Sequence, residues 1–427
     1  MDWIEGDMFG MAMPTHPEAL RAAGAAFLTE AFHKIGSLPA DNAVAEITRF
    51  EDCPRGSTGR KVLLSVAYAK PDPALHTDLF VKFSRAFDDP LRDNQRYEME
   101  DEARFAALSV GHFPIDVPAC YFSDFHHESG TGMMITQCIP YGEGRNEPHY
   151  EKCLDWQMPA PLDHYRVIIE TNGRLGAAHR AGKLSPKIDE YFGFDREAAI
   201  ASDRIRYDEQ KLKNRISRYA EFCRNYPQLL PANIRAESFH EALMRDVPRF
   251  LAHEQAIKTW LYSRPKSIVF AHWNANVDNA WFWQGDDGQR HCGFIDWGRV
   301  GQMSVAQALW GTLSGAEPEL WDAHLDDLLA LYVAQFDPAQ GLDPAEIRLE
   351  MDMLIGLLGI CWLLDAVPLI LREIPDLDEA DGRRDRRFVE SERARTQLHM
   401  LTVFMNLWET HDLGRSLDTV LARVEAA

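Results

Sequence analysis

The residues best suited to chemistry are clustered in His272-Trp273-Asn274-Ala275-Asn276-Val277-Asp278-Asn279, followed after a hairpin pattern by Phe294-Ile295-Asp296-Trp297-Gly298. A histidine-led loop with a polar side chain two residues on, an asparagine beyond it and an aspartate after a strand is the layout of a phosphoryl-transfer centre. There the loop positions an acceptor hydroxyl, while the asparagine and the later aspartate offer oxygens to a hard cation bridging nucleotide phosphates. Asn279 and Asp296 stand in those two metal-ligand positions, and His272, Asn274 and Asp278 are the candidate catalytic residues.

The pattern resembles the aminoglycoside phosphotransferase superfamily, including its choline-kinase-like and ecdysteroid-kinase-like branches, whose loop reads His-Gly-Asp, four variable residues, then Asn. The chain departs from it twice in this loop, with Trp273 for the glycine and Asn274 for the catalytic aspartate. An amide cannot accept a proton at neutral pH, so the general-base role is missing as the family performs it. That role is worth about a hundredfold to ten-thousandfold, roughly 3 to 5 kcal/mol of barrier. Phosphoryl transfer runs mostly on positioning and metal electrostatics, so loss of the base need not abolish it. Asp278 is the nearest replacement carboxylate. The resemblance covers most of residues 44 to 310 and implies an α+β, bilobal protein-kinase-like fold: a small antiparallel β-sheet N-lobe over residues 1–139, preceded by an N-terminal helix, and a larger mainly helical C-lobe over 140–427.

The elements that would position the loop can be followed along the chain. Pro17-Glu18-Ala19-Leu20 opens a helix; Ala45 to Phe50 and Lys61 to Tyr68 read as strands about a turn at Pro54 to Gly59, and Asp78 to Phe83 as a third strand carrying Lys82. The resemblance makes Lys82 the phosphate-pairing lysine. Arg96 to Leu108 reads as an amphipathic helix, and in the related families its glutamate pairs with that lysine; Glu102 fits best, with Glu98 one turn earlier as the alternative. Ala119 to Phe122 and Met133 to Ile139 read as the last two strands about a polar turn, His126 to Gly130, whose histidine pair reads as exposed rather than metal-binding. The backbone from Gln137 to Ile139 would face the adenine of ATP. His179, in Asn172 to Arg180, is read as a core histidine behind the catalytic loop.

Residues 200 to 262 are charged and helix-patterned, an insertion that would shape the acceptor pocket. After Asp296 the family's Gly and following aspartate become Gly301 and Ala306, a further departure that touches local architecture. Arg383-Arg384-Asp385-Arg386-Arg387 reads as a solvated basic run beside acidic residues 376–379. Seven tryptophans surround the catalytic segment, among them Trp281 and Trp283 on one strand face; any that reach a cleft would suit a ring-containing or apolar small-molecule acceptor.

A chain of 427 residues, 46% apolar, can bury a large core without cross-links, and its seven scattered cysteines form no Cys-x-x-Cys pair. A reducing cytoplasm fits, since the acidic N-terminus lacks the pattern of a secretory signal. A formal net charge of −21 argues against nucleic acid and anionic membrane as partners. Met353 to Leu371 is apolar enough to cross a bilayer, but with Asp365 and Pro368 it reads as a buried helix. The expectations are therefore an ATP- and Mg2+-dependent phosphotransferase acting on the hydroxyl of a small molecule, or an inactive nucleotide-binding pseudokinase acting as a switch or scaffold, with oligomeric state open. A cleft put to different chemistry, or an engineered asparagine at 274, is a third version.

Overall fold

The computed structural model describes residues 1–53, 58–111 and 113–426. It contains two compact units: residues 1–148, 178–193 and 279–301 form the first, and 149–177, 194–278 and 302–427 the second. The α+β expectation is met, with an antiparallel five-stranded sheet in the first unit and mostly helices in the second.

In the first unit a short hairpin, β1 (Trp3–Glu5) and β2 (Ala12–Pro14), was not foreseen; strands of three residues carry too little periodicity to read. The carboxylate of Asp124 holds the loop between them, accepting the Met8 and Phe9 N–H groups at 3.0 Å each. Helix Pro17–Ile35 then packs on the sheet formed by β3 (Val44–Asp52), β4 (Arg60–Tyr68), β5 (Asp78–Phe83), β6 (Cys120–His126) and β7 (Thr131–Gln137). Its order is β3-β4-β5-β7-β6, so β5 is the central strand. Val62, Leu64, Val81, Phe83, Met133 and Ile135 build the core beneath the helix, each fully or almost fully buried.

Three expected boundaries move. Of the turn at 54–59, residues 54–57 lie outside the described residues. β7 ends at Gln137, two residues before Ile139, and β6 runs on to His126. The helix expected from Arg96 starts only at Glu100, because tertiary contacts claim the residues before it: Tyr97 stacks on His127 at 4.7 Å between ring centroids, and the Glu98 carboxylate accepts from Arg85 Nε at 3.2 Å. The unit is completed by the hairpin β9 (Ala280–Gln284) and β10 (Arg290–Phe294), which follows β8 (Ile268–His272) of the second unit.

In the second unit, helix Pro344–Trp362 contacts helices Glu237–Leu261, Val305–Leu313, Pro318–Val333, Glu392–Thr410 and Leu413–Glu425. It belongs to the apolar stretch noted in the sequence, and every residue from Glu350 to Ile360 is buried. Where the family's aspartate is Ala306, the turn out of strand β11 (Val300–Ser304) is capped instead by Ser304, whose Oγ accepts the Gln307 N–H at 3.2 Å. The basic run lies beside the acidic residues as expected, with Arg384 and Arg386 exposed: Arg387 Nε bonds to Asp376 and Arg387 Nη2 to Glu379, both at 2.7 Å, while Arg383 is more enclosed and pairs with Glu317.

Candidate functional site

Lys82 and Glu102 meet in the first unit at 2.5 Å, 7% and 5% exposed. Lys82 occupies the central strand and Glu102 the first turn of helix Glu100–Leu108, which lies on β6 and is tied to it by Ser123 Oγ donating to the Ala103 carbonyl at 2.8 Å. Burial works against the charge of Lys82, but Glu102 and Asp296 outweigh it and hold the ammonium above its ordinary range. Burial also raises the Glu102 carboxyl. The Lys82 ammonium at contact distance opposes that rise, and the charge of Asp296 adds to it.

Lys61 pairs directly across β4–β5 with Lys82, a neighbour not singled out from the sequence. Residues directly opposite in an antiparallel pair project to the same face, so two ammonium groups share it. Burial lowers the pKa of Lys61, and Lys82 lowers it further. The only signal in the sequence was the alternation of the two strands, which leaves register undetermined until the turn is known. Above them Gly59 has φ +59°, and a Cβ there would lie 1.9 Å from the carbonyl oxygen of Phe83. Only glycine lets the turn approach the end of the lysine strand so closely.

Asn279 and Asp296 also belong to this unit. Asn279, just before β9, is buried, and its carbonyl accepts the Ile295 N–H at 2.9 Å, which sets it across the hairpin from the residue preceding Asp296. Asp296 lies two residues beyond β10, exposed, in the left-handed region with φ 58°. Trp297 anchors this bend, donating from Nε1 to the Phe294 carbonyl at 2.9 Å and stacking on Phe105 of the Glu102 helix at 3.8 Å between centroids. A carboxylate and a carboxamide on adjacent, rigidly paired positions are hard oxygen donors of the kind magnesium takes. At the strand end the Gln137 N–H donates to Ala119 and the Cys138 N–H to Asp78, at 2.8 and 3.0 Å, while the Ile139 carbonyl accepts the Tyr141 N–H at 3.1 Å.

The loop residues His272 to Asp278 lie in the second unit. His272, fully buried at the end of β8, accepts the Asn274 N–H through Nδ1 at 3.1 Å, which assigns its remaining proton to Nε2. Asn276, also fully buried, donates from Nδ2 to Asn274 Oδ1 at 2.6 Å and accepts the Gly315 N–H on its own Oδ1 at 3.3 Å. It therefore orients the Asn274 side chain, a role for which the sequence offered no sign beyond its polarity. The Trp273 carbonyl lies so close to helix Val305–Leu313 that a Cβ on Gly311 would sit 1.7 Å from it.

Asp278 points into a different environment from that of a free base. Its side chain is enclosed, its Oδ1 has no hydrogen-bond partner, and burial raises its pKa, opposed by Lys152 and, less strongly, His149. His149 Nε2 donates to the Asp278 carbonyl at 2.9 Å. His179 bonds through Nε2 to Asp189 at 3.2 Å, and His126 and His127 to Ser129 and Glu100; no metal-binding cluster of His, Cys, Asp and Glu occurs among the described residues. Trp281, Trp297, Trp310 and Trp321 are buried, and Trp281 stacks on Trp283 at 5.9 Å, so most of the tryptophan set is packing.

No family model matches the chain, and no curated protein does. Among solved structures it is similar to a choline/ethanolamine kinase family protein from Mesorhizobium loti, 15% identical over 92% of this chain and 98% of that one, with a TM-score of 0.41. Choline kinase from Cryptosporidium parvum is 12% identical over 88% and 90% of the two chains with a TM-score of 0.38, and spectinomycin phosphotransferase, solved with ADP and spectinomycin, is 8% identical over 86% and 94% with 0.40.

Proposed function

We propose that this chain binds magnesium-ATP and transfers the terminal phosphoryl group to the hydroxyl of a small molecule. The observation that carries the reading is the buried Lys82–Glu102 pair on the central strand, with the charge of Asp296 bearing on both. A buried ion pair costs desolvation and is weak as a source of stability, so a further role for the lysine accounts for its retention. In this reading Lys82 and Lys61 face the phosphates, Asn279 and Asp296 hold the metal, and the Ile139 N–H serves the adenine. Magnesium, when bound, would neutralise charge developing on the phosphoryl oxygens.

On the acceptor side, His272 and Asn276 fix the loop and Asn274 orients the hydroxyl. The hydroxyl oxygen forms the new bond to phosphorus, the bond to the bridging oxygen of the nucleoside diphosphate breaks, and the proton passes to solvent. Transfer in this form is slow, because no carboxylate occupies position 274. The second reading, a nucleotide-binding protein without transfer, is favoured by that same amide.

Titration calorimetry with magnesium-ATP on the unmodified chain, with Asp296→Ala beside it, tests the shared first step. Binding that is lost in the variant supports the site; no binding by the unmodified chain overturns both readings. Acceptor-independent nucleotide hydrolysis, compared with Asn274→Asp, then separates them.

A further inference from the structure

A small cavity of about 20 Å³ lies in the first unit, between the turn at Gly59, the end of β5 and the segment leading into helix Glu100–Leu108. Lys82, Arg85, Arg92, Arg96 and Glu98 line it, four cations to one carboxylate. Three of the four have carboxylate partners: Glu102 for Lys82, Asp89 and Glu98 for Arg85 at 3.2 Å each, and the exposed Asp93 for Arg96 at 3.9 Å. Arg92 has none among the described residues, although it is only 6% exposed. Its Nη1 donates to the Arg85 carbonyl, and its Nη2 to the Ser129 and Gly130 carbonyls and the Thr131 hydroxyl at 2.9, 3.3 and 2.8 Å. All of these oxygens are neutral, and the Nε–H has no protein acceptor among the described residues. The Phe87 ring covers one face of the guanidinium, with Cζ 4.2 Å from the ring centroid.

Burial and then the neighbouring Arg96 lower the pKa of Arg92, yet an arginine keeps its proton at neutral pH, so the positive charge stays. A buried cation among neutral acceptors, with a like charge beside it, is costly until an anion joins it. We infer that this cavity binds one halide ion, chloride in ordinary buffers and in cells, held by the Arg92 and Arg96 guanidiniums. A water needs about 10–15 Å³, so the space takes one small particle and not the four oxygens of a phosphate. Arginine grips an oxyanion with two parallel N–H groups, and here Nη2 is already committed to three oxygens. A single open N–H next to a second positive charge suits a spherical ion. The inference rests on no nucleotide chemistry, although Lys82 is common to this wall and the proposed phosphate site.

The test is the chlorine-35 NMR line width of sodium chloride with the full chain added, without nucleotide and with sodium gluconate holding ionic strength constant. Saturable broadening is expected, reversed by bromide and far less by phosphate at equal ionic strength. Arg92→Met, checked for folding by circular dichroism, should weaken chloride binding at least about tenfold, the worth of one charge-assisted hydrogen bond. Arg96→Gln, whose side chain is 41% exposed and which folding does not need, should weaken it a few-fold. No saturable broadening, phosphate displacing chloride as well as bromide does, or chloride affinity unchanged in Arg92→Met or, should that variant not fold, in Arg96→Gln would overturn the inference. Chloride broadening and magnesium-ATP binding are separate readouts, so the failure of one is distinguishable from the failure of the other.

Discussion

The indole of Trp297 lies on the ring of Phe105, centroids 3.8 Å apart and planes 18° from parallel. Phe105 is three residues beyond Glu102 in the same helix, and Trp297 directly follows Asp296. One aromatic contact thus links the helix of the residue that pairs with Lys82 to the bend carrying Asp296, the metal ligand proposed above. Trp297→Leu should cost about 2–4 kcal/mol in stability, less than full truncation of a buried tryptophan. In the variant that remains folded, magnesium-ATP affinity should fall while nucleotide binding without metal changes little. Denaturant unfolding and calorimetry check the two effects, and an unchanged magnesium dependence would refute the coupling.

Glu102→Ala leaves the buried Lys82 ammonium without its carboxylate. The loss should be about 3–5 kcal/mol, the scale for breaking one side of a buried pair. Replacing both residues, Lys82→Met with Glu102→Leu, should recover much of that stability while abolishing nucleotide binding. Urea midpoints of the single and double variants, measured together, decide it.

Lys61→Met removes the second ammonium from the face shared with Lys82. Because Lys82 lowers the pKa of Lys61, the change relieves repulsion in the free protein and should leave stability equal or slightly higher. ATP affinity should nevertheless fall by about tenfold, the worth of one charged contact to phosphate. Affinity unchanged by the substitution would remove Lys61 from the phosphate site.

Asn274→Asp should raise turnover by about a hundredfold to ten-thousandfold if transfer occurs at this loop. The change is geometrically mild, since Asn276 Nδ2 already donates to Oδ1 of residue 274 and would donate equally to a carboxylate. Hydrolysis of ATP in the absence of acceptor is the readout. A null result with intact magnesium-ATP binding would favour the reading without transfer.

Asp155 predicts a slope of stability with pH. Burial pushes its carboxyl from the ordinary 3.8 up to about 8 in the folded chain. Between those values the native state keeps a proton that the unfolded chain has released, so its contribution is complete below about pH 4 and is lost as pH rises toward 8. Asp155→Asn cannot ionise and should lack that slope. Melting temperatures of both proteins across the range should converge at low pH and separate at high pH, with Asp155→Asn the more stable there.

Much of the first unit was legible because its signals are local. Strand alternation marked Lys61 to Tyr68 and Asp78 to Phe83 to within a residue, and the hairpin preceding Asp296 followed from two apolar runs about a glycine-bearing turn. The loop motif identified itself through residue types at fixed spacing. Helix boundaries were less legible: Tyr97 and Glu98 fit a helical pattern, yet His127 and Arg85, distant in sequence, draw them out of it.

The sequence by itself determined the longer strands of the first unit, their order, and which polar residues stand at loop positions fit for phosphate chemistry, since these depend on side-chain type and short-range periodicity. Tertiary structure alone decided that Glu102 rather than Glu98 meets Lys82, that Lys61 lies opposite Lys82, that Asn276 orients Asn274, and that Asp155 is buried with one oxygen unpaired. Each of those facts is a distance between residues separated along the chain. Strand register and helix packing set such distances, and composition and spacing carry no record of either.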